Sequence, residues 1–183
     1  MRLNPLKIVK EKDIQFLKSI AKTGLITKDL LSTYKISYDR FNQHLLTNNI
    51  VLSGRVMTFG VLKDVYILSD DMKKQMKNDY GIGLYRSDLS QVEHDYILSK
   101  VYSKLSIAEK ESWVTETMLK DIFGEETTVD GLYRSDSGYN IGVEIISENY
   151  TKQEIEDKKA FISKYCDSYI LINTKEEIML QEG

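Results

Sequence analysis

Apolar positions along the first eighty residues change period once, and the change separates a run of helices from a pair of strands. Ile14, Leu17, Ile20 and Ala21 recur at helical spacing and the pattern stops at Gly24, which predicts a helix over roughly 11–23. Thr27 is placed to cap a second helix carrying Leu30, Leu31 and Tyr34, with Asp29 near its positive end. Ser37 opens a third, with Tyr38, Phe41 and Leu45 on one face and Asp39, Arg40, Gln43 and Thr47 largely on the other. From Val51 the period shortens to two. Residues 51–57 and 63–68 read as strands joined around Gly60, the second rich in β-favouring Val65, Tyr66 and Ile67, and another helix is predicted over 70–78.

Residues 79–89, with Gly81, Gly83, Ser87 and Asp88, read as a hinge. Ser90-Gln91-Val92-Glu93 has the spacing of a capping box, opening a helix to about Leu105 with Leu98, Val101, Tyr102 and Leu105 as its buried stripe. Strands are predicted over 127–134 and 139–147 around the turn Ser135-Asp136-Ser137-Gly138, with Ile141, Val143 and Ile145 alternating in the second. Thr151 and Glu154 offer another capping box for a helix to about Tyr165, and 168–173 is a short buried strand. The class is therefore mixed α/β (α+β), with a module at 9–80, a hinge at 81–89 and a second module at 90–183.

Composition excludes several classes. With 42% hydrophobic and 29% charged residues, one Pro and 10 Gly among 183 residues, the chain is neither disordered nor fibrous. Cys166 alone rules out a disulfide framework and a cysteine-rich zinc site, and points to a reducing cytoplasm. The opening residues lack a signal-peptide core and no run approaches a membrane span. The formal charge of −3 hides a split: residues 1–80 carry 14 basic and 8 acidic side chains, or +6, and residues 81–183 carry 11 and 20, or −9. A basic half of this kind suits a polyanion.

Helix, helix, helix, hairpin is the order of a winged helix-turn-helix domain, and residues 9–80 resemble that family. The resemblance implies that the third helix enters the major groove of double-stranded DNA. Tyr38, Arg40, Asn42 and Gln43 would then make base-edge and nearby phosphate contacts, with Arg55 and Lys63 on the wing holding phosphate. Asp39 would repel phosphate. A helical bundle used for protein contacts is the competing reading. His44 reads as a satisfied or half-buried helix residue, and His94 as a partly exposed one.

Two strands of the second module carry acidic residues, at Val129-Asp130-Gly131 and Val143-Glu144-Ile145-Ile146. Carboxylates on neighbouring strands can share a hard divalent cation, which takes oxygen ligands and activates water for attack on phosphate. The pattern resembles the restriction-endonuclease-like fold, whose signature is an Asp followed by Glu-x-Lys on the next strand. Asp130 and Glu144 match the metal-holding positions, and Glu116 could supply the acid from the preceding helix. Ile146 stands where the Lys belongs, and Lys152 or Lys158 of the following helix could replace it. The signature Lys stabilises developing charge on phosphate, which an alkyl chain cannot do. An inactive nuclease-like scaffold, or acidic residues facing solvent at a sheet edge, compete with an active Mg2+-dependent endonuclease; no cofactor is expected unless the site is active.

The whole order is a winged helix, then Glu93-His94-Asp95, Trp113-Val114-Thr115-Glu116, Asp130-Gly131 and Val143-Glu144. Over residues 9–173 it resembles the plasmid replication-relaxation and mobilisation accessory proteins of bacterial mobile elements. That resemblance implies binding near a transfer or replication origin, or transcriptional regulation, with a relaxase or replication protein meeting the acidic C-terminal half. A homodimer would span two half-sites about one helical turn apart.

Overall fold

The predicted period change at Val51 falls where the hairpin of the first sheet begins, β2 starting at Ile50. The computed structural model describes residues 10–125, 127–174 and 179–182. Helices and two sheets give a mixed α/β architecture, and the chain divides into two units between Lys104 and Leu105. Among the described residues no helix is long and apolar enough to cross a membrane.

In the first unit α1 (Glu11–Thr23) ends at Gly24, as its apolar spacing required. The expected second helix does not form. Ile26 and Thr27 instead make a short strand β1 paired with Tyr66 and Val65, and the Thr27 side chain makes no cap hydrogen bond to the turn that follows. Residues 28–35 then run through successive i→i+3 turns and end on Lys35 at φ 54°, because Ser32, Thr33 and Tyr34 favour a helix weakly. The next helix, α2 (Tyr38–Leu46), is capped as expected, the Ser37 side chain accepting from the Arg40 N–H. Strands β2 (Ile50–Thr58) and β3 (Val61–Leu68) form a hairpin and the sheet order is β1-β3-β2, all antiparallel. Phe59 (φ 49°) and Gly60 (φ 73°) make its two-residue turn, with both φ values positive as a type I′ turn demands. Helix α3 (Asp70–Tyr80), capped by Ser69, follows.

The hinge and the Ser90–Glu93 capping box are corrected. Residues 81–89 pack onto the first unit: Ile82 is buried, the Tyr85 N–H donates to the Ala21 carbonyl, and Tyr85 and Ser87 hydrogen-bond Asp95. Asp88, not Ser90, caps the turn before α4 (Val92–Lys104), and Glu93 turns away to accept the Phe59 N–H at 2.9 Å. The donor exposed by the tight hairpin turn won the carboxylate that local spacing assigned to a helix cap. Helix α4 packs against α1 and the first sheet, which moves it from the predicted second module into the first unit. The core between them includes Phe16, Leu17, Ile20, Phe41, Ile50, Val65 and Leu98, with the Phe41 ring edge-on to Tyr66 at 4.8 Å.

The second unit comprises α5 (Ile107–Ser112), β4 (Val114–Thr115), α6 (Glu116–Phe123), β5 (Gly131–Arg134), β6 (Asn140–Ile146), α7 (Lys152–Tyr165), β7 (Ser168–Asn173) and β8 (Met179–Glu182). Its sheet order is β4-β5-β6-β7-β8, with β6 and β7 parallel across the α7 crossover and the other pairs antiparallel. The Thr151–Glu154 capping box forms as predicted. Strand β5 starts four residues later than the expected 127, leaving Asp130 just ahead of it. Leu119, Val129, Phe161 and Ile162 make a core cluster, with Phe123 and Tyr165 against it.

Gly131 begins β5 because nothing larger fits there. A Cβ at this position would stand 1.9 Å from Trp113 Cζ2, and the buried indole is stacked nearly parallel to Tyr133. Gly131→Ala is therefore expected to destabilise the protein by about 1–3 kcal/mol through overpacking, read as a lowered urea midpoint; a wild-type midpoint would refute the close approach.

Candidate functional site

The first candidate surface is α2 with its neighbouring hairpin. Tyr38, Asn42 and Gln43 are exposed on α2, as a reading face requires, and Asp39 is exposed beside them. Arg40 is not. Its Nε donates to Asp13 Oδ1 at 2.8 Å, its Nη2 to the other Asp13 oxygen, and its Nη1 to Gln43 Oε1 at 2.7 Å. Asp13 is buried and also meets His44 Nε2 at 3.2 Å, while the Asn49 amide lies 3.0 Å from His44 Nδ1. Arg40 thus ties α2 to α1. Its hydrogen bond holds the Asp13 carboxyl below the usual range against the effect of burial, and burial pushes the His44 imidazole down. His44 is the satisfied core histidine the sequence suggested.

On the hairpin Arg55 stays exposed, donating from Nε to Asp64 Oδ1 at 2.6 Å, with Lys28 3.9 Å from the same carboxylate. Lys63 is largely enclosed: its ammonium donates to Asp29 Oδ2 at 2.7 Å and lies 3.9 Å from the Tyr96 ring centroid, while the Tyr96 hydroxyl donates to the same Asp29 oxygen. Burial works to raise the Asp29 carboxyl, but the hydrogen bonds from Lys63 and Tyr96 and the Lys63 charge bring it down to about 2. Part of the +6 of the first eighty residues is therefore spent in ion pairs within the fold. Lys28, Arg40, Arg55 and Lys63 each face an aspartate, and only Arg55 and Lys28 remain open to solvent at the groove between hairpin and turn.

His94 departs from its expected exposure. It is buried, with Nδ1 3.1 Å from Asp95 Oδ1 and 3.4 Å from the Tyr85 hydroxyl. A histidine-acid pair at the start of α4 serves the packing of residues 81–89.

The second candidate site gathers at the edge of β5 and β6. The Asp130 N–H donates to Glu144 Oε2 at 3.1 Å, and the Ile145 N–H donates to Asp130 Oδ2 at 2.8 Å, so each carboxylate is clasped by the other's strand. Both side chains are buried, Glu144 completely at 0% exposure, which overturns the reading of them as solvent-facing sheet-edge acids. The Glu116 N–H bonds the Asp130 carbonyl at 3.1 Å, fixing the start of α6 beside the pair, and its carboxylate meets Lys120 at 2.8 Å. From the second turn of α7, Lys158 reaches Glu144, 2.9 Å from Oε1 and 3.1 Å from Oε2. Lys152, at the exposed first position of α7, does not join them. Burial pulls the Lys158 ammonium down, yet the Glu144 and Asp130 charges outweigh it and raise its pKa.

Sequence reading missed Tyr150, whose phenol is hydrogen-bonded to Glu144 and whose pKa is raised by burial and by the Glu144 and Asp130 charges. No spacing flags it; only the loop before α7 brings it in. Asp13 did leave a trace, since it stands three residues before Phe16 and four before Leu17, on the apolar face of α1. Carboxylate oxygens on adjacent strands suit a hard cation. Among the described residues no group of three His, Cys, Asp or Glu side chains is arranged to hold a metal.

No protein-family model matches the sequence, and no curated protein or solved structure matches the chain.

Proposed function

We propose that this chain binds double-stranded DNA through its first unit, in the manner of a winged helix-turn-helix domain. The carrying observation is α2. Ser37 caps it, Phe41 and the Asp13–Arg40 pair hold it from behind, and it presents Tyr38, Asn42 and Gln43 outward beside the β2–β3 hairpin. Asn42 and Gln43 suit the paired donor and acceptor of an adenine edge. Arg55 and Lys28 are the phosphate contacts, while Arg40 and Lys63 position the helix and the hairpin. Such a protein fits an accessory role at a transfer or replication origin, or repression, in the cytoplasm of a mobile element's host, its acidic second half meeting a relaxase or replication protein. Selection of bound fragments from a genomic library, followed by gel-shift titration, tests this. Gln43→Ala or Asn42→Ala should cost about 1–3 kcal/mol at the selected site only, and Arg55→Ala should weaken all sites and flatten the salt slope by about one. Salt-independent binding, or none, refutes it.

A second reading is favoured by Lys158, which fills the role that Ile146 leaves open. Asp130 and Glu144 would hold Mg2+, which when bound polarises phosphate and activates water. Glu116 would lie at the rim, and Lys158 would place positive charge against the developing phosphate charge. Incubating supercoiled and linear DNA with Mg2+ or Mn2+ decides it, with Asp130→Asn as control. Cleavage lost in the variant supports an endonuclease, and no cleavage leaves the unit an inactive scaffold.

A further inference from the structure

The two faces of the β2–β3 hairpin meet different surroundings. Thr58 and Val65 are buried on one face, and Lys63 shares that face and lies over Tyr96. Register sets the other face: Met57 lies opposite Leu62, Arg55 opposite Asp64, and Leu52 opposite Tyr66. At its base Tyr66 is buried against Phe41 of α2, while Leu52 opposite it is 57% exposed. Towards the turn this face is bare. Met57 and Leu62 are 59% and 56% exposed and, as a directly facing pair, form one apolar ridge rather than two scattered side chains. Arg55 and Lys28 flank the ridge, and Asp64 offsets only one of their two charges.

We propose that Met57 and Leu62 form a wedge that enters the minor groove of duplex DNA, parts a base step and bends the duplex while α2 occupies the neighbouring major groove. This rests on the DNA-binding reading above and adds a distortion to it. Methionine and leucine are the kind of side chain that inserts between stacked bases, and an adjacent arginine suits the negative potential of a narrow minor groove. A wedge must also be held firmly, since unstacking works against it. The hairpin tip is: the Phe59 N–H is tied to Glu93 and the Phe59 ring packs 6.2 Å from Tyr96.

The experiment uses a short duplex with TA steps, which part easily, 2-aminopurine beside them and a fluorescence donor and acceptor at its ends. Saturating protein should raise the 2-aminopurine emission and bring the ends closer. Met57→Ala/Leu62→Ala should abolish both signals and weaken binding by about tenfold as the ridge loses its buried surface, with an unchanged thermal midpoint because both side chains are exposed. Arg55→Ala should weaken binding but keep the bend. A straight, stacked duplex saturated with wild-type protein, or equal bending by the double variant, overturns the wedge. A wild-type protein that binds no duplex overturns the DNA-binding reading as well, so the two failures are distinct.

Discussion

Lys158→Met is expected to destabilise the second unit by about 3–5 kcal/mol, the cost of leaving a buried charge without its partner. The side chain keeps its length and apolar stem, so packing is little disturbed. What goes is the ammonium standing 2.9 and 3.1 Å from the two oxygens of Glu144, a carboxylate with no solvent exposure, beside the buried Asp130. Urea unfolding of the single variant should show the loss. Adding Glu144→Gln should recover most of it, because a neutral amide keeps the shape and can still accept the Asp130 N–H. If Asp130 and Glu144 hold Mg2+, the ion should stabilise Lys158→Met more than the wild type, since it supplies the positive charge the variant lacks. A wild-type midpoint for Lys158→Met would show the pair to be energetically idle.

Asp13→Ala is expected to cost the first unit a similar amount, about 3–5 kcal/mol, and to leave α2 poorly anchored. Arg40 would lose both of its carboxylate contacts and His44 its Nε2 partner, in a region where Phe16, Phe41 and His44 pack ring to ring. The same network makes stability fall on acidification in two stages. Burial depresses the His44 pKa in the folded protein, so the unfolded chain takes up the proton first, and the His44 contribution is lost as pH falls below the unfolded value of about 6.5. Asp13, depressed by the Arg40 hydrogen bond, contributes stability that is present above the unfolded carboxyl value of about 3.9 and lost as pH falls further. Equilibrium unfolding between pH 8 and pH 3 should show both stages, and His44→Gln should remove the upper one. A flat profile from pH 8 to pH 5 would refute the His44 assignment.

Much of the backbone was legible because its signals are local. The Thr151–Glu154 box, the Ser37 cap, the Gly24 stop and the alternation of Val143 and Ile145 each act within four residues, and each element formed where its pattern lay. The failures were also local in origin. Thr27 and Glu93 each had two competing partners, and in both cases a group distant in sequence prevailed: Val65 in the sheet and the Phe59 N–H in the turn. Of the second site, Asp130, Glu144 and Glu116 were readable from their strand and helix positions. Lys158 and Lys152 were indistinguishable until α7 was seen to place only the former over Glu144.

The sequence by itself determined the mixed α/β class and most element positions, since hydrophobic period and capping chemistry are read over a few residues. Only the tertiary structure decided which charges remain available. Arg40 meets Asp13 across 27 positions and Lys63 meets Asp29 across 34. Coulomb energy depends on separation in space, and a charge sum over a stretch of chain carries no record of the partner that folding will place within 3 Å.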